Sequence, residues 1–215
     1  MKISSLHDNG RSLKFTFHGT TAQANTLRRA IITDVPCLAF DWITVHENTS
    51  CIPNELIAHR VGQVPIFGRG NIMNISNEED RDWKNSVKFC VEVEGRDVLT
   101  DDMVVQDDAG VDVYQDIILC RLKNGQRLKL TAEATLNTGK THSRWMPAIA
   151  VRCYPKVNKI VDNNNEVEEI VDENIHLFEF ESTGAVSRMQ ILKDAIGGIT
   201  QQLTTLRRKI VDVPI

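Results

Sequence analysis

The stretch LKFTFHGTTAQANTLRRAIITDVP, residues 13–36, determines how this chain of 215 residues begins to fold. Leu13, Phe15 and Phe17 alternate with polar neighbours, which is the period-two pattern of a half-buried strand. The preceding pair, Asn9 and Gly10, is the strongest two-residue signal for a hairpin turn. We therefore expect a β-hairpin at the start of the chain.

The second half of the same stretch predicts a helix. Thr20 or Thr21 can cap its start, and it runs to about Thr33. Pro36 ends it, because a proline disfavours helical geometry in the residue before it. Helical spacing places Ala24, Leu27 and Ile31 on the inward face, and Asn25, Arg28 and Arg29 on the opposite face. The paired arginines are either a solvated face or a docking surface.

The next segments predict strands, a short helix and a loop. Residues 37–47 look extended, and their apolar pattern changes phase near Asp41 and Trp42, so we expect a bulge or two short strands. PNELIAHRVG, residues 53–62, predicts a helix with Pro53 at its first position and Gly62 near its end. The polar segment GRGNIMNISNEEDRDW, residues 68–83, predicts a loop.

A β-rich block follows. The alternation from Val87 to Val93 predicts a half-buried strand. Apolar residues alternate on both sides of Asn124 and Gly125, from Ile118 to Leu122 and from Leu128 to Leu136, which predicts a second hairpin. AIAVRCY, residues 148–154, predicts a strand stopped by Pro155. The polar, acidic residues 158–173 predict a linker or long loop.

The chain closes with a strand, IHLFEFES, and a long helix. The apolar residues of this helix are spaced by four and three in turn, which is a heptad pattern aligned along one partner surface. We call this set the seam: Leu192, Ile196, Ile199, Leu203, Leu206 and Ile210. Gly197 and Gly198 each weaken a helix by about 1 kcal/mol relative to alanine, so we expect another backbone to approach there.

This order of elements predicts an α+β fold. The two ends of the chain share a core of sheet and helices, and the middle forms an inserted β-rich domain. The predicted limits are residues 1–38 with 172–215 for the discontinuous domain and 39–171 for the inserted one.

Composition excludes several classes of protein. A hydrophobic fraction of 41% supports a packed core, and a net charge of −4 argues against a nucleic-acid-coating protein. No apolar run is long enough to cross a bilayer, and the first residues lack an apolar signal core, so we expect an intracellular protein. The five cysteines form no CxxC pair, which predicts free buried thiols and no metal.

Three separated phrases resemble the α-like subunit of multisubunit DNA-directed RNA polymerases, the third-subunit family of eukaryotes and archaea. They are ANTLRRAIITDVPCLAFDWITVHENTSCIPNELIAHRVGQVPI (24–66), LKNGQRLKLTAEATLNTGKTHSRWMPAIA (122–150) and FEFESTGAVSRMQILKDAIGGITQQL (178–203). They are colinear and extend over almost the whole chain. The form of the first phrase is similar to the eukaryotic and archaeal versions, or to that of a large DNA virus.

The resemblance implies a discontinuous dimerisation domain and an assembly scaffold without an active site or cofactor. The expected partners are a smaller α-like subunit, bound through the seam, the second-largest subunit, and small assembly subunits, with DNA reached only through the complex. The location would be the nucleus, or the cytoplasm or virion for an archaeal or viral enzyme. The expected residues for docking of the large subunit are Asn25, Arg28, Arg29, His59, Arg60, Lys140, His142, Arg144 and Trp145.

Two departures from the family are expected. Relatives with a zinc or iron–sulfur site carry a cysteine cluster in the inserted domain, and this chain has no cysteine between Cys51 and Cys90, so we expect no metal. The bacterial form continues into a DNA-binding domain, and this chain ends at Ile215, so we expect no promoter reading by that route.

Alternatives remain open at this stage. GKTHSRW, residues 139–145, is an assembly loop with Trp145 as interface anchor, a structural loop, or a base-stacking loop, and no acidic metal ligands accompany it for catalysis. His59 and Arg60 are interfacial or brace the inserted domain. The rival function is a nucleic-acid-binding module, which requires a contiguous basic stripe.

Overall fold

The computed structural model describes residues 2–68, 86–106, 110–161 and 167–211, with the backbone alone for 159–161, 167–170 and 211. The predicted loop at 68–83 lies outside these residues except for Gly68. Three helices are present in this part of the chain: α1 (Thr21–Thr33), α2 (Asn54–Gly62) and α3 (Arg188–Val211). The strands are β1 (Lys2–Asp8), β2 (Ser12–His18), β3 (Pro36–Asn48), β4 (Ile66–Phe67), β5 (Val87–Glu94), β6 (Asp97–Leu99), β7 (Val104–Val105), β8 (Asp112–Val113), β9 (Ile118–Arg121), β10 (Arg127–Thr138), β11 (Ala148–Val161) and β12 (Val167–Ser182).

The chain divides into two compact units, which confirms the α+β class. The terminal unit comprises Met1–Val35, Pro147–Thr183 and Ser187–Ile215. The inserted unit comprises Pro36–Met146 and Gly184–Val186. The predicted limits differ from these, because β11 pairs with β12 along its whole length and so joins the sheet formed by the two ends of the chain.

The terminal unit is an antiparallel sheet with two helices packed on it. The strand order is β1-β2-β12-β11, and the predicted N-terminal hairpin of β1 and β2 is confirmed. Leu13, Phe15 and Phe17 are buried, and Phe15 stacks on Phe178 of β12 with ring centroids 4.8 Å apart. The inward residues of α1 are buried with them, as are Ile191, Leu192 and Ala195 of α3. The period-two and helical patterns therefore converge on one core.

The hairpin of β11 and β12 corrects two predictions. Pro155 does not stop β11, since the strand continues to Val161, and the described residues of the predicted linker, 158–161 and 167–173, belong to β11 and β12. The pairing shifts register directly after Pro155, and β11 is an edge strand of its sheet. Proline is tolerated at edges and bulges because no neighbouring strand requires its missing N–H group.

The inserted unit is built around a sheet with strand order β3-β10-β5-β7. The alternating residues of β5 are buried from Val87 to Val93, as predicted. The pairing of β3 with β10 skips Asp41, which confirms a bulge at the phase change. Helix α2 packs on β3 and β9, and Phe40, Ile57, Val61 and Phe89 lie in the core.

The predicted second hairpin is wrong. Asn124 and Gly125 do form a turn, in which the Gln126 N–H donates to the Lys123 carbonyl at 2.9 Å. The strands on either side of it do not pair with each other. Both edges of β10 are occupied, by β3 and β5, and β9 pairs with β6 instead. Asn124 and Gly125 specify a reversal of the chain, whereas the pairing partner of each strand depends on which other strands compete for its edges.

Candidate protein-docking surfaces

Helix α1 presents the predicted arginine pair on its outer face. Thr20 caps the helix, and the Thr20 and Gln23 side chains complete a reciprocal capping box. Asn25 and Arg29 are exposed, and Arg28 is half-buried. We call these three residues the Arg28 surface.

Asn25 holds Arg28 in place. The Asn25 Oδ1 atom accepts hydrogen bonds from Arg28 Nε at 3.2 Å and from Nη2 at 2.8 Å. Within the part of the chain that the structure describes, neither Arg28 nor Arg29 has an ion-pair partner. Burial raises the pKa of the Cys153 thiol on β11, and the nearby charge of Arg28 acts in the opposite direction. The Arg28 surface therefore carries two positive charges without an ion-pair partner among the described residues, and Asn25 holds one of them, Arg28, in place.

The last turn of α2 carries His59 and Arg60, which are both exposed. Arg60 has an internal role, because its Nη1 atom donates to the carbonyl of Leu119 at 3.0 Å and ties the helix to β9. Of these two side chains, His59 is the more accessible to a protein partner. The structure thus supports bracing by Arg60, and the rest of the guanidinium remains accessible to a partner.

The turn that leads into α2 was not predicted. Asn48 Nδ2 donates to the Ile52 carbonyl at 2.9 Å and to Asn54 Oδ1 at 2.7 Å. Asn48 Oδ1 accepts from the backbone N–H of Ser50 at 3.0 Å and from its hydroxyl at 2.6 Å. Asparagine followed two residues later by serine is a sequence signal for such a side-chain turn. Asn48 thereby positions the start of α2 and, through it, His59.

Arg144 is the structural centre of the loop at residues 139–145. Its Nη1 atom donates to the carbonyls of Phe40 at 2.9 Å and Asp41 at 3.1 Å, beside the bulge in β3. Its guanidinium carbon lies 5.4 Å from the ring centroid of Trp145, a cation–π arrangement. Arg144 therefore donates to two carbonyls of β3 beside the bulge, and its Nη1 atom also lies 3.7 Å from Asp41 Oδ1. Lys140 and His142 remain exposed.

Trp145 lies inside the inserted unit. The side chain is 3% exposed, and its Nε1 atom donates to the Thr135 carbonyl at 3.0 Å. A buried tryptophan with a satisfied N–H group contributes to packing. The structure thus places it in the core, where it supports the loop from within, and not on the surface as an anchor for a partner.

The seam on α3 divides into a buried start and an exposed end. Leu192 is 4% exposed, Ile196 is 38% exposed and Ile199 is half-buried, whereas Leu203, Leu206 and Ile210 are 61%, 55% and 63% exposed. Every residue from Thr200 to Ile210 is exposed. The second half of the helix therefore presents its apolar stripe to solvent.

No backbone approaches the glycine pair closely within the described part of the chain. An added Cβ at Gly198 would meet the Asp34 Cβ at 3.8 Å, an ordinary contact, and one at Gly197 would meet nothing within 4 Å. A close backbone approach at this glycine pair therefore stays a prediction, and the backbone would be that of a partner chain.

The candidate residues fall on both units. The Arg28 surface and the seam lie in the terminal unit; His59, Arg60 and the loop at 139–145 lie in the inserted unit. Among the described residues, no three His, Cys, Asp or Glu side chains group as a metal site would require. In the same ranges, no helix combines the length and apolar character that a membrane span needs.

The terminal unit carries an exposed apolar stripe on α3. A family model described as the RNA polymerase Rpb3/Rpb11 dimerisation domain matches residues 14–203. The chain therefore belongs to the family of RNA polymerase subunits that carry this domain, the α-like third-subunit family that its motifs resemble.

Individual relatives agree with this assignment. The DNA-directed RNA polymerase subunit Rpo3 of Natronomonas pharaonis is 34% identical over 152 residues, which are 70% of this chain and 58% of that protein. Rpo3 of Methanocaldococcus jannaschii is 27% identical over 188 residues, 87% of this chain and 84% of that protein. The RNA polymerase II subunit rpb3 of Dictyostelium discoideum is 32% identical over 169 residues, 70% of this chain and 55% of that protein. The chain spans 51%, 58% and 60% of the length of the Rpo3 proteins of Methanobrevibacter smithii, Natronomonas pharaonis and Pyrococcus horikoshii.

Proposed function

We propose that this chain is a non-catalytic assembly subunit of a DNA-directed RNA polymerase. The seam binds a smaller α-like subunit, and the resulting pair gathers the large catalytic subunits and the small assembly subunits. The observation that carries the proposal is the exposed half of the seam on a chain of the Rpb3/Rpb11 dimerisation family. Three large apolar side chains in water disfavour the isolated chain, and burial against a partner removes that cost.

The Arg28 surface is the proposed dock for the second-largest subunit. Guanidinium groups bind carboxylates and carbonyls in a fork geometry, and Asn25 restricts Arg28 before any partner arrives. Preorganisation of this kind lowers the entropy cost of association. His59, Lys140 and His142 form a separate proposed contact on the inserted unit. Arg144 and Trp145 hold the loop that carries Lys140 and His142.

The charge pattern of the inserted sheet speaks against the rival nucleic-acid-binding function. Its exposed lysines and arginine alternate with glutamates. Lys129 pairs with Glu92 at 2.9 Å, Arg127 with Glu94 at 2.8 Å, and Lys88 with Glu133 at 3.4 Å. Each cation already faces an anion, so this sheet face lacks the contiguous positive stripe that phosphate binding requires.

Charge reversal tests the proposed docking surface. The variant Arg28→Glu with Arg29→Glu is expressed with an affinity tag in its native host, and the purified complex is identified by mass spectrometry. We expect the second-largest subunit to be lost and the smaller α-like partner to be retained. The matched control is Lys2→Glu with Lys156→Glu, two exposed lysines of the terminal unit whose reversal changes net charge equally. Retention of the large subunit by the first variant, or its loss from both variants, refutes the assignment.

A further inference from the structure

The exposed end of α3 carries cations on both sides of its apolar stripe. In the heptad register of the seam, Leu203 and Ile210 occupy a positions and Leu206 a d position. Arg207 then falls at e and Lys209 at g, the two positions that flank a helix–helix contact. Arg208 falls at f, which points away from the contact.

One side of this end of α3 borders the end of α1. Lys209 and Leu206 line the same groove between α3 and the end of α1, together with Gln202 and Asp34. Asp34 already accepts hydrogen bonds from Gln202 Nε2 at 3.0 Å and from the Thr33 hydroxyl at 2.7 Å. The Asp34 carboxylate is thus hydrogen-bonded to Gln202 and Thr33, and it forms no ion pair with Lys209.

The three cations at this end follow a stretch of helix without acidic residues, and Asp212, the next acidic residue, lies outside the described residues. Residues 195–211 contain no Asp or Glu. Among the residues that the structure describes, none forms an ion pair with Arg207, Arg208 or Lys209. Arg207 and Lys209 therefore lie along the edges of an exposed apolar stripe without an ion-pair partner among the described residues.

We infer that the seam selects a helix of a different polypeptide whose flanking positions are acidic. The inference rests on the proposed dimerising role of the seam and adds the chemistry of the partner. Apolar residues of that helix cover Leu203, Leu206 and Ile210. Its carboxylates lie opposite Arg207 and Lys209, where opposite charges at flanking positions determine partner choice and orientation.

A second copy of this chain does not meet that requirement. In a parallel pair, an e position of one helix lies opposite the preceding g position of the other, so Arg207 faces Gln202 of the other copy. In an antiparallel pair, Arg207 and Lys209 face positions nearer the start of the helix. The flanking positions from 193 to 209 are Lys193, Ala195, Thr200, Gln202, Arg207 and Lys209. None of these is acidic, so self-pairing leaves the cations unmatched in either orientation.

Two synthetic peptides test the inference on the full-length chain. Both are four-heptad helices with leucine at a and d; one has glutamate at every e and g position, and the other has lysine. Like-charge repulsion keeps each peptide from pairing with itself. Binding is measured by fluorescence anisotropy at low and high salt. We expect about tenfold preference for the glutamate peptide, diminished at high salt because exposed pairs are screened.

Charge-reversed variants provide the controls. Arg207→Glu with Lys209→Glu should invert the preference, whereas Arg208→Glu on the opposite side should leave it unchanged. Equal binding of both peptides overturns the acidic partner but keeps the seam as a docking surface. Binding of neither peptide overturns the dimerising role itself. Dimerisation of the chain alone in sedimentation equilibrium, or competition by a DNA duplex, overturns the choice of an acidic protein helix.

Discussion

Two leucines of one helix should respond to the same substitution in opposite ways. Leu192 and Leu203 both belong to the seam, but the first is 4% exposed and the second 61% exposed. Leu192→Ala removes buried methyl groups and leaves a cavity in the core of the terminal unit, which costs about 3 kcal/mol of unfolding free energy. Leu203→Ala removes atoms that are mostly in water, and should cost below about 1 kcal/mol.

The partner reverses this order. Full burial of a leucine side chain contributes about 1.5–3 kcal/mol, and 61% of the Leu203 side chain is available for burial against another chain. Leu203→Ala should therefore weaken the complex by about 1.5 kcal/mol, or roughly tenfold in affinity. Leu192→Ala should have little effect on affinity, once the remaining folded fraction is taken into account.

Urea unfolding followed by circular dichroism measures the first effect on the chain alone. The slope with urea should be unchanged, so that a shift in midpoint reports stability. The dissociation constant of the complex with the co-purified α-like partner measures the second effect. Equal loss of stability in the two variants would show that the chain covers Leu203 itself, and the argument for a partner at the seam would fail.

Two further substitutions test interactions inside the inserted unit. Arg144→Ala should lower the free energy of unfolding by about 1–3 kcal/mol, because the Phe40 carbonyl loses its donor, whereas Lys140→Ala on the same loop should cost below about 0.5 kcal/mol; thermal unfolding measures both. The hydrogen bond from Arg96 holds the pKa of Asp102 below its ordinary value of 3.8, so this carboxylate stabilises the fold fully above that pH and loses its effect as the pH falls through the lowered pKa. Asp102→Asn should therefore cost about 1 kcal/mol at pH 7 in urea unfolding, a value limited by the exposure of Arg96, and its difference from the parent chain should disappear as the pH falls below the lowered pKa.

These two predictions have separate points of failure. If Arg144→Ala and Lys140→Ala are equally stable, the bulge in β3 does not depend on Arg144. If the difference between Asp102→Asn and the parent chain persists at low pH, the stabilisation does not come from the ionised carboxylate.

Sequence patterns predicted the local structure correctly where a single segment determines it. The cap of α1, its buried face and the alternation of β2 and β5 follow from spacing alone, because a helix or a half-buried strand repeats its environment at a fixed period. The Arg28 surface was predictable for the same reason. The hydrogen bond between Asn25 and Arg28 follows from their separation of three residues on one helix.

Long-range competition accounts for the errors. Asn124 and Gly125 reverse the chain as predicted, but β10 finds stronger partners in β3 and β5, so no hairpin forms. Pro155 continues a strand because the sheet places it at an edge. Trp145 is buried because β10 offers the Thr135 carbonyl to its N–H group, a contact that no pattern in the loop itself contains.

The amino-acid sequence by itself determined the helices, the inward faces of the strands, the heptad register of α3 and the family to which the chain belongs. These properties depend on residues within a few turns of each other, or on motifs read directly. Only the tertiary structure decided which part of the seam is buried, which arginine side chains are hydrogen-bonded within the chain and which aromatic residue lies in the core. Burial is a property of all the segments that meet at a point, and the chain encodes it only through the complete fold.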